Sequence, residues 1–406
     1  MANTLKFGNG EWYGKEGTIL AYNDENYNYK PLPFNFERGS SATVVNKDGL
    51  IETVGSDMPR IDYKDDSKGA LLLEPSRTNK NLFSTDFSRF TAVEATLDKS
   101  FTAPDGTLNA TKLTDNSVSS THRIMKTCTT SSSGSATYSV FLKKGTMTNA
   151  VLNLFSGNTI GTATVDLDSG TITLNSGTSA DIEDYGDDWY RCSVTGTLGS
   201  TSTTIYVYMG DSKSPYVGTN QDLYVWGAQL EEGSYATSYI PTQGSAATRL
   251  ADVCSQTVPD GVIGQTEGTL FLDFKVLSEG EINANIFNTN KNTTNAIAVI
   301  RTKSTKELQV QTFFSSVNVN YVSTNPYNVG DKIKLAFKYK SGDVKLYING
   351  ILENSATTTF TISSSLDEIN LADNVTYFAR KEALHFNELK LFKEALTDAE
   401  LIALTS

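Results

Sequence analysis

Hydrophobic and polar residues alternate with a period of two along much of the chain. Between residues 80 and 247 the alternation is clearest in TYSVFLKKG, TTIYVYMG and DLYVWGAQLEEG. Clusters of Gly, Asp, Asn and Ser separate these segments at the intervals expected of turns. Successive side chains of a strand point to opposite faces, so the pattern predicts an all-β jelly-roll sandwich over this region. In TATVDLDSGTITL the turn DSG lies between two alternating arms, which indicates a β-hairpin.

The flanking regions are also rich in strand patterns. Residues 1–79 contain short strand candidates between turns, and Pro31 and Pro33 exclude a regular helix there. The apolar run in GALLLEPSRTN is short and bounded by Gly and Pro, which predicts a buried strand. Residues 248–406 again show strand patterns, such as GTLFLDFKV and DKIKLAFKYK. Near the end, EALTDAELIALTS predicts a short helix that Thr397 caps, with Glu400 three residues later.

Composition and charge exclude some classes of function. The 406 residues carry 34 Lys and Arg and 46 Asp and Glu, so the net charge is 34 − 46 = −12. An acidic surface repels phosphate backbones, so we expect no nucleic-acid binding. The three cysteines, Cys128, Cys192 and Cys254, are widely separated and predict neither disulfides nor a zinc site. No apolar run is long enough to span a bilayer, and the start MANTLKFGNGEW lacks the features of a signal peptide, so we expect assembly in a reducing cytosol without membrane insertion.

Two sets of motifs resemble known families. The succession RIDYKDDSKGALLLEPSRTNKNLFSTDFSRF, YSVFLKKG, GDDWYRCSVTG and VWGAQLEEGSYATSYIPTQGS, over roughly residues 36–255, resembles a domain pair of bacteriophage virion proteins, chiefly tail-fibre and other surface-fibre components. The middle domain of that pair is similar to carbohydrate-binding-module jelly rolls. Further on, KLYINGIL and HFNELKLFKEALTDAELIAL resemble the laminin-G-like or concanavalin-like sandwich, through Tyr347, Asn349, Gly350 and the segment from Ala395 to Glu400. The acidic calcium ligands of some laminin-G-like domains have no match here.

These resemblances imply an all-β chain of three parts. We expect an irregular N-terminal β segment at 1–79 that attaches to the particle, a carbohydrate-binding-module-like jelly roll at 80–247, and a laminin-G-like sandwich with a short C-terminal helix at 248–406. The implied function is that of a structural and adhesive component of a phage virion, a tail or head fibre, which binds host-surface glycan from the virion surface. The implied partners are other virion proteins, contacted through the N-terminal segment, and two further copies of the chain in a homotrimer.

Three alternatives remain at this point. The chain could be a decorative virion protein without a ligand, an accessory protein of a bacterial polysaccharide-binding system, or a polysaccharide depolymerase. The residues favour a non-catalytic protein. The acidic doublets Glu231-Glu232 and Asp187-Asp188 are adjacent in sequence, so in a strand their members face apart. The two histidines, His122 and His385, lie near no nucleophile motif.

Candidate site residues divide into three groups. We expect Trp189, Trp226 and Tyr239 to be structural aromatics that pack the jelly roll, so that QDLYVWGAQLEEGSYATSYIPTQGS closes the domain and does not grip a ligand. A structural Ca²⁺ near the jelly-roll termini would use Asp105 and Asp222, for which the alternative is turn capping. Tyr321 and Tyr327 lie in predicted Asn- and Thr-rich loops of the last domain, where they are candidates for ligand binding.

Overall fold

The computed structural model describes residues 4–25, 28–279, 283–290, 295–314, 317–371 and 382–406. The chain forms two compact units. The first unit comprises Met1–Ser41, Val54–Pro75 and Leu250–Ser406, and the second comprises Ala42–Thr53 and Ser76–Arg249. The chain therefore passes between the units after Ser41, Thr53, Pro75 and Arg249. Each unit is an assembly of antiparallel strands, and the predicted all-β fold is confirmed.

Strands are numbered in chain order. The strands before residue 116 are β1 Leu5–Gly8, β2 Gly14–Lys15, β3 Thr18–Glu25, β4 Asn28–Glu37, β5 Ala42–Val45, β6 Ile51–Val54, β7 Ile61–Asp62, β8 Ala70–Leu73, β9 Arg77–Asn79, β10 Thr91–Val93, β11 Ala95–Phe101 and β12 Ala110–Asp115. A 3-10 turn occupies Phe87–Arg89.

The strands of the middle of the chain are β13 Ser119–Ser120, β14 Arg123–Thr129, β15 Ser135–Lys144, β16 Asn149–Phe155, β17 Thr159–Asp166, β18 Thr171–Ser176, β19 Ser179–Asp184, β20 Trp189–Thr197, β21 Ser202–Met209, β22 Tyr216–Val217, β23 Asp222–Glu232 and β24 Ala247–Arg249. The remaining elements are β25 Val253–Thr257, β26 Glu267–Val276, β27 Ala284–Thr289, β28 Asn295–Arg301, β29 Glu307–Phe314, β30 Val317–Pro326, β31 Lys332–Lys340, β32 Val344–Ile348, β33 Ile351–Ala356, β34 Glu368–Leu371, β35 Leu384–Phe392 and the helix α1 Asp398–Thr405.

The first unit is a sandwich of two strand arrays joined through β3. One array pairs in the order β3–β1–β35–β26–β31–β32–β33, and the other in the order β3–β4–β25–β34–β27–β28–β29–β30. The inward side chains of both arrays form one hydrophobic core, which includes Leu272, Val299 and Leu389. Because inward and outward positions alternate along each strand, this arrangement explains the period of two in residues 248–406.

The N-terminal region is part of the first unit. Strand β1 pairs with β35, Phe7 opposite Leu389, and β4 pairs with β25, Phe36 opposite Cys254. Phe7 and Phe36 are completely or almost completely buried in the same core as Leu389. The predicted division at residue 79 therefore differs from the structure, because the strands of residues 248–406 leave sheet edges that β1, β3 and β4 complete. The buried strand predicted in GALLLEPSRTN is β8, whose four side chains are buried.

The second unit is a jelly-roll-type sandwich of two six-stranded sheets. One sheet has the order β10-β14-β21-β16-β17-β18, and the other has the order β11-β12-β23-β15-β20-β19. Between them lies a core of side chains such as Tyr138, Leu152 and Val207. The hairpin predicted in TATVDLDSGTITL is β17–β18, with Asp166 opposite Thr171. The hairpin β5–β6, which comes from an earlier part of the chain, is also part of this unit.

The C-terminal helix forms as predicted. The Thr397 hydroxyl accepts a hydrogen bond from the backbone of Glu400, and the Glu400 carboxylate accepts one from the backbone of Thr397, which is a capping box. Leu401 is buried and anchors the helix to the first unit. No helix in the described ranges is long and apolar enough to cross a membrane.

Candidate functional site

The second unit contains a pocket of about 640 Å³. Its walls come from four separate parts of the chain: the hairpin β5–β6, residues 83–89, residues 105–109 and residues 239–243, with Trp226 of β23 between them. The volume lies in the range of small-molecule sites in proteins. Since β5–β6 and residues 239–243 are far apart in sequence, only the folded unit assembles this pocket.

Two buried aromatic residues form the floor of the pocket. Trp226 is 1% exposed and Tyr239 is 4% exposed, and their ring centroids are 4.6 Å apart. The indole Nε1 of Trp226 donates a hydrogen bond to Asn109 Oδ1 at 2.6 Å. The Tyr239 hydroxyl is hydrogen-bonded to Ser84 Oγ at 2.6 Å. Because their polar ends are satisfied and their rings are packed, these two residues fix the shape of the pocket.

Gly227 makes this aromatic packing possible. It follows Trp226 with a φ of 61°, in the left-handed region that glycine adopts without strain. A Cβ atom at this position would lie 2.8 Å from the Phe141 ring and 3.3 Å from the Tyr239 ring. The glycine of the Trp-Gly pair therefore serves packing, because it lets the rings of Phe141 and Tyr239 approach the backbone of β23.

The wall above the floor is polar and largely uncharged. Thr53 and Gln243 are exposed, Thr85 is half-buried, and all three line the pocket. Within the described part of the chain, no hydrogen bond engages these three side chains. Each can both donate and accept hydrogen bonds. The pocket therefore offers two hydroxyls and an amide to a ligand with hydroxyl groups.

A charged edge lies on one side of the pocket. Asp86 forms ion pairs with Lys99 and with Arg89, the latter with Nε 3.4 Å from the carboxylate. Hydrogen bonds from Lys99 and from Ser88 lower the pKa of Asp86 to about 2. The Arg89 guanidinium also lies over the Phe83 ring, 5.3 Å from its centroid. Asp86 is therefore ionised at neutral pH and does not have the raised pKa of a general acid.

The two residues predicted to hold Ca²⁺ are both engaged in hydrogen bonds within the protein, Asp105 in a turn and Asp222 at the start of β23. Asp105 Oδ1 accepts hydrogen bonds from the backbone and the hydroxyl of Thr107, at 2.9 and 2.7 Å. Asp222 Oδ1 accepts one from the backbone of Thr146 at 3.0 Å, and the Thr146 hydroxyl accepts one from the backbone of Asp222 at 2.9 Å. Across the described ranges, no group of three or more His, Cys, Asp or Glu residues is arranged to hold a metal ion. Asp105 lines the pocket, whereas Asp222 does not.

The tyrosines predicted to bind a ligand lie in the core of the first unit. Tyr321 is 1% exposed and packs on Phe337, with ring centroids 5.3 Å apart. Tyr327 is 7% exposed, and its hydroxyl donates to Glu353 at 2.9 Å. Burial and the bond to Glu353 raise the pKa of Tyr327 above its usual value. The predicted loop around Tyr321 is in fact strand β30, so alternation carries its ring inward.

The predicted structural aromatics are buried together on the outer side of the β23 sheet. Trp189, Trp226 and Tyr239 belong to one cluster, which Val45 and Ile51 of the hairpin β5–β6 complete. The segment QDLYVWGAQLEEGSYATSYIPTQGS, predicted to close the domain, therefore has two parts. Its aromatic rings pack the sheet, while Pro241 to Gln243, just beyond Tyr239, line the pocket.

The two histidines and the two acidic doublets lie apart from one another, and each makes contacts within the fold. His122 is buried, with Nδ1 2.5 Å from the Glu94 carbonyl oxygen. His385 is also buried; burial lowers its pKa, and the nearby Asp62, 3.8 Å away, acts in the opposite direction. Glu231 is buried and accepts a hydrogen bond from the Thr237 backbone at 3.0 Å, whereas Glu232 lies 3.5 Å from Lys80. Asp187 and Asp188 form a turn with positive φ angles of 50° and 61°.

Sequence reasoning missed most of the pocket residues. Thr53, Thr85 and Gln243 lie in three separate segments without a motif, and no regular spacing connects them. One signal was available, because Trp226 and the residues after Tyr239 belong to the aromatic-rich segment predicted to close the domain. The residue-by-residue pattern could not reveal that the second of these segments borders a cavity.

Comparisons with known proteins identify no family. No family model matches this chain, and no curated protein matches it. Among solved structures, the chain is similar to the CBM40 module of Ruminococcus gnavus IT-sialidase bound to α2,3-sialyllactose, with 18% identity, a TM-score of 0.31, and coverage of 35% of this chain and 84% of that one. It is also similar to domain 4 of AbnA, a GH43 extracellular arabinanase from Geobacillus stearothermophilus in complex with arabinotriose, with 21% identity, a TM-score of 0.33, and coverage of 43% and 83%.

A third solved structure is of a botulinum neurotoxin type C protein whose cell entry depends on two ganglioside molecules, with 10% identity, a TM-score of 0.33, and coverage of 38% of this chain and 39% of that one. Likenesses of this extent carry no inference about the ligand of this chain.

Proposed function

We propose that this protein binds carbohydrate without transforming it, and that the pocket of the second unit holds the sugar. The observation that carries the proposal is the pocket itself: about 640 Å³, with the side chains of Thr53, Thr85 and Gln243 available on a rigid aromatic floor. Sugars present many hydroxyls that both donate and accept hydrogen bonds. Hydroxyl and amide side chains match that property, because they too can act in both directions.

Binding is favoured over hydrolysis by the state of the carboxylates in the pocket. Glycoside hydrolysis uses one protonated and one ionised carboxyl group on opposite sides of the bond. Asp86 has a pKa lowered to about 2 by Lys99 and Ser88, so it cannot donate a proton at neutral pH. Asp105 is held in its turn by Thr107. A polysaccharide depolymerase is therefore the weaker candidate.

The biological setting is proposed from the sequence resemblance. In that setting the protein is a structural and adhesive component of a phage virion, a tail or head fibre, located on the virion surface and directed at host-surface glycan. Other virion proteins and two further copies of the chain are its proposed partners. Several copies at one surface would convert weak single contacts into firm attachment through effective concentration. Since residues 1–41 are part of the first unit, attachment to the particle is proposed for that unit as a whole.

The proposal is tested by glycan-array binding of the full chain, followed by calorimetric titration with a saccharide that binds. Gln243→Ala and Thr85→Ala each remove one hydrogen-bonding side chain from the wall, and neither residue lies in the core. A hydrogen bond contributes about 0.5–1.5 kcal/mol, so each variant is expected to weaken binding about two- to tenfold. Gln311→Ala, in the first unit, is the matched control and is expected to bind like the wild type.

Three results would contradict the proposal. Binding to no glycan would favour a decorative protein, and release of reducing sugar would favour a depolymerase. An equal loss of affinity for Gln243→Ala and Gln311→Ala would place the sugar outside this pocket.

A further inference from the structure

The sheet that contains β21 presents a second set of aromatic and cationic side chains, on its outer face. Cross-strand pairing aligns three rows of outward residues on β14, β21, β16 and β17. They are Arg123–Tyr208–Val151–Thr164, Met125–Tyr206–Asn153–Thr162 and Thr127–Thr204–Phe155–Thr159. Their inward neighbours, such as Ile205 and Val207, are in the core, so alternation directs these residues away from it. We call this surface the tyrosine face.

Two tyrosines at the centre of the tyrosine face are arranged with two cations. The rings of Tyr206 and Tyr208 are stacked, with centroids 5.6 Å apart and an interplanar angle of 21°. The Arg123 guanidinium lies over the Tyr208 ring, 5.4 Å from its centroid. Beside Tyr206, Lys213 reaches from a loop to place Nζ 3.1 Å from Asn153 Oδ1 and 3.5 Å from Thr162 Oγ1. Both cations are held by neutral groups, so their positive charge is available to a ligand.

The three rows of the tyrosine face contain Arg123 and no acidic residue, and Lys213 lies beside them in a loop that also carries the exposed Asp211. The chain has a net charge of −12, yet the three rows contain no Asp or Glu, and all of these residues lie in the described range 28–279. The nearest acidic position on the same strands, Asp166, is in the next row and accepts hydrogen bonds from the backbones of Asp168 and Ser169. A local positive field on an acidic protein favours an anionic ligand.

The tyrosine face is partly open, whereas the opposite face of the same sandwich is covered; Val151, Asn153 and Thr162 are buried, the last two beneath Lys213. On the β23 sheet, the hairpin β5–β6 packs Val45 and Ile51 over the outer aromatic residues. On the tyrosine face, Phe155 remains 38% exposed and Tyr206 and Tyr208 are half-buried. The face therefore combines partly exposed rings, threonine hydroxyls and two cations on one sheet.

We propose that the tyrosine face binds an acidic polysaccharide, a chain of sugars that carry carboxylates. The aromatic rings would contact the apolar C–H faces of the sugars, and Lys213 and Arg123 would pair with their carboxylates. This site rests on the proposed carbohydrate-binding function but shares no residue with the pocket of the second unit. It would give the protein a selectivity for anionic saccharides that the neutral side chains Thr53, Thr85 and Gln243 of that pocket do not provide.

The test is affinity electrophoresis of the full chain in gels that contain polygalacturonate or polysialic acid, with neutral dextran as the uncharged comparison. The wild type is expected to be retarded by at least one of the acidic chains and not by dextran. Lys213→Glu is expected to weaken this binding about tenfold, and added salt is expected to weaken the wild type. Tyr206→Thr, which keeps a strand-forming residue, is expected to weaken it about three- to tenfold.

Lys303→Glu is the matched control, because it makes the same charge change at an exposed lysine of the first unit. It is expected to retain wild-type retardation, which would support a local site. The proposal would be overturned if Lys213→Glu and Lys303→Glu lost retardation equally, or if neither acidic chain retarded the wild type. It would also be overturned if the wild type bound single-stranded oligodeoxythymidine more strongly than the acidic polysaccharides. Gln243→Ala separates the two sites: it is expected to bind acidic chains normally even if the pocket holds no sugar.

Discussion

The two units of this protein are both closed by chain segments from distant parts of the sequence, but they use different chemistry to do so. In the first unit, distant segments meet in a buried network of two arginines and two carboxylates, which are Arg38, Arg60, Glu74 and Asp252. In the second unit, the hairpin β5–β6 meets the β23 sheet through an apolar and aromatic cluster. Segments that are remote in sequence are therefore joined to a sandwich by ion pairs in one unit and by apolar packing in the other.

The ionic network is held by several contacts at once. Asp252 Oδ1 is 3.1 Å from Arg38 Nη1, and the other oxygen of this carboxylate pairs with Arg60. Arg60 also pairs with Glu74 at 2.7 Å, and the Glu74 backbone donates to Asp252 at 2.8 Å. Burial alone would lower the pKa of Arg60, but Asp252 and Glu74 raise it above its ordinary value. Buried charges of this kind stabilise the fold only while every partner is present.

The apolar cluster is less dependent on any single partner. Phe141 contacts Trp226 and Tyr239 edge to face, with ring centroids 5.1 and 6.1 Å apart. Loss of one ring leaves the other contacts in place, because apolar packing is not directional. We therefore expect a substitution in the ionic network to lower the free energy of unfolding more than a substitution in the aromatic cluster.

Asp252→Ala should have the largest effect on stability. It leaves Arg38 and Arg60 buried without a shared carboxylate, and breaking a buried pair costs about 3–5 kcal/mol. We expect a large fall in the melting temperature, or failure to fold, measured by calorimetry. Asp260→Ala, an exposed aspartate of the same unit, is the control and should melt like the wild type. A wild-type melting temperature for Asp252→Ala would show that the network is not needed to close the first unit.

Trp226→Ala should have the next largest effect. It removes a side chain that is 1% exposed and leaves a cavity between Phe141 and Tyr239, which costs about 3–4 kcal/mol. Chemical denaturation followed by circular dichroism measures the change, and Trp226→Phe should recover part of the loss. Leu108→Ala, at a residue 67% exposed, should have little effect. A Trp226→Ala variant that remained fully stable but lost glycan binding would mean that the ring contacts the ligand directly.

Asp273→Asn should have the smallest effect, and its effect should depend on pH. Burial and the nearby Glu388 raise the pKa of Asp273 to about 6, although Lys334 acts in the opposite direction. The folded state therefore holds this proton more tightly than the unfolded chain, whose aspartates titrate near 3.9. The protonated Asp273 therefore adds to the stability of the folded state below about pH 4, and this contribution is lost as the pH rises through about 6.

We expect Asp273→Asn to be more stable than the wild type by about 1–2 kcal/mol at pH 7, with the difference shrinking towards pH 4. Urea titrations of both proteins across this range measure the difference. The variant Asp260→Asn should show none. A difference between Asp273→Asn and the wild type that did not change with pH would contradict the raised pKa.

The fold was largely predictable from sequence because alternation is a local signal. Strands such as β17, β18 and β26 follow from the period of two, and the cap of α1 follows from Thr397 and Glu400. What the local signal could not give was the assignment of strands to sheets. The pairing of β1 with β35 joins residues far apart in the chain, such as Gly8 and Glu388, which are 388 − 8 = 380 positions apart. Neither the turn residues nor the period of two predicts such a contact.

The site was less predictable than the fold. Asn- and Thr-rich composition predicted that Tyr321 and Tyr327 lie in loops, but the same composition also occurs on strands whose outward positions are polar. The side chains proposed to bind a ligand come from segments that only tertiary structure brings together, as with Thr53 and Gln243. The tyrosine face was within reach, because TTIYVYMG places two tyrosines two positions apart on one strand.

A crystal structure of the full chain with a saccharide that binds in solution tests the central proposal most directly. The account predicts sugar density in the pocket of the second unit, within hydrogen-bond distance of Gln243 and Thr85 and above the floor of Trp226 and Tyr239. Density for an uncharged saccharide confined to the first unit, with this pocket filled only by water, would contradict it.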